Sequence, residues 1–214
     1  MTHPLPRFIL AACAACCLAA TLSACAPLVL GGAAMGTLVA VDRRTSGAQL
    51  EDEGIELRAG ARLRDAMGER SHLDITSYNR QVLLTGEVSS EKDKAAAEQI
   101  VAKVENVRSV VNELGVMGAS SLTQRSSDAL VTGKIKASLV DDKLLQANAF
   151  KVVTERGTVY LMGLVTPQEA ERATNLTRSI GGVQRVVRVF EMISDEDLRR
   201  IATTPVKPDT TPRQ

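Results

Sequence analysis

The chain has no tryptophan, and aromatic residues make up 2% of its 214 positions. Platforms that stack bases or sugars need several exposed rings, so that class of reader is excluded. The formal net charge is only +1, which gives no bulk positive field for nucleic acid. All four cysteines (Cys13, Cys16, Cys17 and Cys25) fall in the first 25 residues. Everything downstream therefore folds without a disulfide or a cysteine metal site. Beyond His3 there is one histidine, His72, just before a strand, where a surface or capping role is the ordinary one. No glycine-rich phosphate loop and no metal-ligand spacing occurs. Asp141-Asp142 reads as a solvated turn at a helix end, and Glu51-Asp52-Glu53 as the charge run of a helix start. The expectation is a protein without catalytic residues, metal, small-molecule substrate or nucleic-acid partner.

What the chain does have is a duplication. Residues 158–165 repeat the pattern of residues 81–88: Val82, Leu84 and Val88 alternate as Val159, Leu161 and Val165 do. Such alternation is that of a half-buried strand. A lone glycine, Gly86 or Gly163, interrupts each strand and marks a bulge or a close backbone approach. Upstream, residues 73–80 match 150–157 as a first strand and tight turn. Downstream, each copy enters a helix, at Ser89-Ser90-Glu91 or at Thr166-Pro167-Gln168. A valine-rich strand closes each copy, around Val107 to Val111 and around Val183 to Val187. Opening helices are expected before each copy: one carries Ile55, Leu57, Leu63 and Met67. The other starts at Ser127-Asp128 as an N-cap pair and carries Leu130, Val131, Ile135 and Leu139. The expected fold class is α+β, two tandem α-β-β-α-β domains with helices packed on a small three-stranded mixed sheet.

The first 24 residues read as a secretory signal, with an apolar run from Phe8 to Ala24. The run ends in Leu22-Ser23-Ala24-Cys25, which resembles the bacterial lipobox. That resemblance implies a diacylglycerol and an N-acyl chain on Cys25, and no other cofactor. More than one chain is what makes such anchoring stable, at about 0.8 kcal/mol per buried methylene. Ala26, rather than Asp, follows the anchor, which by analogy with sorted lipoproteins implies the outer membrane. Residues 25–47 form the anchor and tether; positions 26–41 are apolar and too short to span a bilayer, lying either on it or on the protein. Domain boundaries are expected at 48–117 and 122–193, joined by a linker at 118–121. A proline-containing tail runs over 194–214; residues 194–201 read as one or two helical turns, and the rest, from Ala202, is expected to be disordered.

The strand glycines with their flanking apolar residues resemble the mark of the BON domain. The whole chain from about residue 22 to 192 resembles the outer-membrane lipoproteins that carry two such domains. The residues that bear the likeness are 42–49, Ile75-Thr76-Ser77-Tyr78 with Val82-Leu83-Leu84, and most specifically 153–166. The resemblance implies a non-enzymatic protein on the inner, periplasmic face of the outer membrane, supporting envelope integrity. It further implies that the first helix of the second domain binds anionic phospholipid and helps place the protein at division sites. In this chain the residues are Leu130, Val131, Lys134, Ile135 and Lys136. Leu130 stands where a family member has Trp, an exchange that removes the amphipathic ring favoured at headgroup depth.

Charge gives that reading partial support. Residues 51–116 hold nine Lys/Arg against thirteen Asp/Glu, a net −4; residues 121–193 hold ten against seven, a net +3. The second domain thus has the sign that anionic headgroups attract. Two alternatives stay open from the residues: Val131, Ile135 and Leu139 as a plain core stripe with solvated lysines, or the same helix as a membrane contact. The competing function is a protein-interaction adaptor for an outer-membrane assembly or division partner, without lipid recognition.

Overall fold

The computed structural model describes residues 42–68 and 72–203. The signal-like segment, Cys25, most of the tether and the tail from 204 onward lie outside them. Helix α1 spans Ser46–Met67, with Thr45 as N-cap, its side chain accepting from the Ala48 amide. Strands β1 (His72–Tyr78) and β2 (Gln81–Val88) follow, then α2 (Glu91–Ala102), β3 (Ser109–Asn112) and the two-residue β4 (Gly115–Val116). The second repeat supplies α3 (Leu122–Asp141), β5 (Phe150–Glu155), β6 (Thr158–Val165), α4 (Pro167–Arg178) and β7 (Arg185–Met192). A further helix, α5 (Asp195–Thr203), forms where one or two helical turns are expected at the start of the tail.

In each repeat the central strand pairs antiparallel with the strand before it and parallel with the strand after the helix. The second sheet has three strands, as expected; the first has four, because β4 also pairs with β2. The extra strand is a broken version of β7. Its register on β2 (Leu84 with Asn112, Glu87 with Gly115) continues that of β3 without a slip. The gap lies opposite Gly86, whose φ of +104° bends β2 away from ladder geometry. Gly163 has no such φ, and β7 runs unbroken past it, pairing Phe190 with Gly163.

Both hairpins turn through two residues with positive φ: Asn79 and Arg80 (50° and 67°), then Arg156 and Gly157 (49° and 72°). That is the primed turn whose twist matches the flanking strands. A carboxylate from the opening helix holds each turn. Asp52 accepts from the amides of Asn79 and Arg80 and from Ser77 Oγ, all at 2.7 Å. Asp128 accepts from the amides of Arg156 and Gly157 at 2.9 Å. Neither aspartate starts a helix, contrary to the sequence expectation. Helix α3 begins six residues earlier than Asp128, capped by Ser121, because the buried turn amides use the carboxylate instead. Leu57 is a second correction: it is 75% exposed, since Ile55, Ala59 and Leu63, spaced at four residues, set the buried face and leave Leu57 far around the helix.

Among the described residues there are three apolar clusters. The helices of each repeat pack on one face of their own sheet, around Ile55, Val82 and Leu84 in the first and Ile135, Val159 and Leu161 in the second. The third cluster joins the two sheets by their other faces: Tyr78, Leu83 and Val111 against Tyr160, Met162, Leu164 and Val189. The central strands are therefore buried on both faces, not half-buried. The layers run helix, sheet, sheet, helix.

Both strand glycines stand at close backbone approaches, as expected. A Cβ on Gly86 would lie 2.1 Å from the His72 carbonyl oxygen, and one on Gly163 2.4 Å from that of Ala149. Gly163→Val is expected to abolish the folded state, read as loss of the cooperative thermal transition in circular dichroism. By contrast, Gly133 sits mid-helix in α3 with nothing within 4 Å of an added Cβ. Gly133→Ala should stabilise the protein by about 1 kcal/mol.

Candidate functional site

Helix α3 carries every residue the sequence singled out for lipid contact, and the fold divides them. Val131 (4% exposed) and Ile135 (0%) are core residues, packed on β5 and β6 with Leu139. They cannot reach a membrane without unfolding the domain, so they leave the lipid-facing set. Leu130 points the other way and is 67% exposed. At 3.6 residues per turn, Leu130, Gly133, Ala137 and Val140 fall opposite the core stripe. Lys134 and Lys136 flank this face on its two sides, both exposed and, among the described residues, in no ion pair. Val140 is 69% exposed, and Leu144 just beyond the helix end is equally so. Sequence reasoning missed Val140 and Leu144; the same helical spacing that excludes Leu139 from this face could have found Val140.

The seam between the sheets holds most of the charge chemistry. Three glutamates of the first repeat meet three cations of the second: Glu56 with Lys151 (2.9 Å), Glu87 with Arg156 (2.6 Å) and Glu113 with Arg185 (3.1 Å). One pair runs in reverse, Arg108 to Glu191, and Asn79 also donates to Glu191 at 2.8 Å. The short stretch before α1 grips both domains. Arg43, almost fully buried, donates to Glu169 and to the Leu164 carbonyl of the second repeat. Arg44 pairs with Asp42 and Asp52 and lies 4.2 Å over the Tyr78 ring. These residues, which read in the sequence as the polar end of a tether, are a clasp.

Electrostatic consequences follow from burial. Asp52 is held below the usual carboxylate range: desolvation opposes this, but hydrogen bonds from Ser77, Arg80, Arg44 and Asn79 outweigh it. Glu169 behaves alike, its burial outweighed by Arg43 and the Thr166 amide. Glu155 goes the other way. Burial pushes its carboxyl up, and the nearby charges of Glu87, Asp128 and Asp74 add to that. His72 and Asp74 from β1 and Glu155 from β5 offer ligand atoms within 4.8 Å of one another, a grouping no sequence spacing announced because it draws on both repeats.

Each α-β-β-α-β unit is a BON domain: the BON domain family model matches residues 51–118 and 127–193, and the chain belongs to that family. It is 36% identical over 174 residues to "Outer membrane lipoprotein DolP" of Haemophilus influenzae, covering 80% of this chain and 90% of that one. It is 32% identical to the "21 kDa hemolysin" of Actinobacillus pleuropneumoniae, over 72% of this chain and 80% of the relative. To "Osmotically-inducible protein Y" of Escherichia coli it is 30% identical, over 64% and 70%. The likeness puts the chain among the outer-membrane lipoproteins with two BON domains. None of these relatives is named as an enzyme. No helix among the described residues is long and apolar enough to cross a membrane.

The chain's two tyrosines both sit in the seam, and their phenols report on it. Burial pushes Tyr78 up to about 12, assisted by Asp42, and Tyr160 up to about 12, assisted by Glu113. An unfolded phenol ionises near 10. Because the folded values are raised, the stability they contribute is present below about pH 10 and is lost as pH rises toward 12. Absorbance titration at 295 nm should show both phenols ionising above pH 11. Chemical-denaturation stability should fall between pH 10 and 12, and Tyr78→Phe with Tyr160→Phe should flatten that fall.

Proposed function

We propose that this lipoprotein supports envelope integrity without catalysis. Acyl chains on Cys25 hold it at the periplasmic face, and the outer face of α3 makes a second, reversible contact with anionic phospholipid. The observation that carries the reading is Leu130, two-thirds exposed on the face opposite the core and flanked by the exposed Lys134 and Lys136, neither in an ion pair among the described residues. An apolar side chain set between unpaired cations is the pattern of a membrane-surface helix.

Magnitudes define what such a contact can do. Two lysines near an anionic surface contribute about 1 kcal/mol each. Inserting Leu130 adds about 2 kcal/mol. A total of about 4 kcal/mol corresponds to a dissociation constant of about 1 mM. The helix alone is thus a weak binder, effective only when the acyl anchor already confines the protein to the surface. That division of labour suits a role in which the anchor gives residence and the helix selects regions rich in anionic lipid, the division site being one.

The domain-wide charge no longer supports this reading. Lys151, Arg156 and Arg185 face glutamates across the seam, so the +3 of the second domain serves mainly to hold the first. With those three cations and Glu191 committed to the seam, seven cations and six carboxylates are left in residues 121–193, a net +1, and the two cations that flank Leu130 are Lys134 and Lys136. Protein lacking the acyl anchor (residues 42–214) should cosediment weakly with vesicles containing phosphatidylglycerol or cardiolipin and not with neutral ones. Lys134→Glu with Lys136→Glu should remove the binding, and Leu130→Ser should reduce it by about 30-fold. Leu57→Ser, an equally exposed leucine on α1, should change nothing. Equal loss in all variants, or no preference for anionic vesicles, would leave this face to a protein partner.

A further inference from the structure

At one end of the seam the two repeats bring together groups that neither has alone. His72 and Asp74 lie on β1 of the first domain and Glu155 at the end of β5 of the second, their ligand atoms within 4.8 Å of one another. They border a shallow pocket with Arg125, Asp128 and Thr132 of α3. We propose that His72, Asp74 and Glu155 form a divalent-cation site bridging the two BON domains, of the class that takes zinc, with Glu87 orienting the imidazole from behind.

Glu87 is the independent observation. Its side chain is 2% exposed, and while Oε1 accepts from Arg156, Oε2 has no hydrogen-bond partner. That oxygen faces His72 Nδ1 at 3.5 Å. On the other side of the ring, Nε2 lies 3.4 Å from Arg125 Nη1. Arginine can only donate, so Nε2 is the lone-pair nitrogen and Nδ1 carries the proton, directed at Glu87. Both atoms are buried and neither has a hydrogen-bond partner, so a closure of a few tenths of an ångström would give the contact found behind metal-bound histidines, in which a buried carboxylate holds the N–H and leaves the other nitrogen for the cation. Glu155 Oε1 is likewise buried with no hydrogen-bond partner.

The charge balance agrees. Glu87, Asp128, Asp74 and Glu155 bring four negative charges, and Arg125 and Arg156 bring two positive ones. A divalent cation offsets most of this charge, leaving about one negative charge once Arg125 moves aside. One imidazole and two carboxylates with room for water fit zinc, and the imidazole disfavours magnesium or calcium. Tetrahedral ligands around zinc stand about 3.3 Å apart. The three groups therefore close by at most about 1.5 Å on binding, with the exposed Arg125 side chain swinging away. Since the ligands come from both domains, the cation would fasten one edge of the seam.

The test uses the full chain, untagged, with its thiols alkylated so that cysteine offers no competing site. Zinc chloride titrated by calorimetry should bind at one ion per chain and raise the melting temperature. Magnesium chloride should do neither. The His72 imidazole resonances should shift on zinc addition. Asp74→Asn and Glu155→Gln should each weaken binding at least tenfold, and Glu87→Gln about tenfold. Glu155→Gln has a second signature: removal of a carboxylate among carboxylates should raise the metal-free melting temperature while cancelling the gain from zinc. Absence of stoichiometric zinc binding, or binding indifferent to both Asp74→Asn and Glu155→Gln, would overturn the site. So would magnesium binding equal to zinc that survives His72→Ala.

Discussion

The contact on which the rest depends is the face-to-face packing of the two sheets. A three-stranded sheet covered by two short helices buries only a modest core, and domains of this size are marginal alone. Here the second face of each sheet is closed by the other repeat, through Tyr78 and Leu83 on one side and Tyr160, Met162 and Leu164 on the other. Once the sheets stack, both opening helices are forced to the outside. That is why α3 can show a leucine and two lysines to a surface while its inner stripe remains sealed.

The charge distribution follows the same constraint. An acidic first domain and a basic second one, taken separately, look like a neutral body with one membrane-seeking half. In the folded chain the asymmetry is largely complementarity across the seam, with glutamates of one repeat meeting cations of the other and the Arg43–Arg44 clasp spanning both. The exposed pairs contribute little stability singly and act mainly by fixing register, whereas the buried Arg43, Asp52 and Glu87 each need their partner because an unpaired buried charge is costly. They set the two sheets in one orientation, and so decide which way α3 faces.

Much of this was legible in the sequence. Alternation and a lone glycine gave β2 and β6 their place, and Thr166-Pro167 marked the start of α4, where a complete capping box forms. The closed second face was visible in part: Tyr160, Met162 and Leu164 are apolar on the side a half-buried strand would leave polar. In the first repeat Thr85 and Glu87 disguise it, because Glu87 is buried against an arginine that only the fold supplies. Asp52 and Asp128 looked like helix starters because aspartate near a helix commonly is one. Their use in holding distant hairpin turns is a tertiary choice that local pattern cannot reveal. The site residues divided for the same reason: Val131 and Ile135 differ from Leu130 only in angle around one helix.

The most direct measurement is native-state hydrogen exchange on the amides of β2 and β6. If the seam makes one cooperative unit of the two domains, these amides share a single opening free energy, and replacing Leu83 by Ala lowers both by the same amount. If β6 kept its protection while β2 lost it, the domains would be independent beads on a chain. The orientation of α3 would then be unexplained.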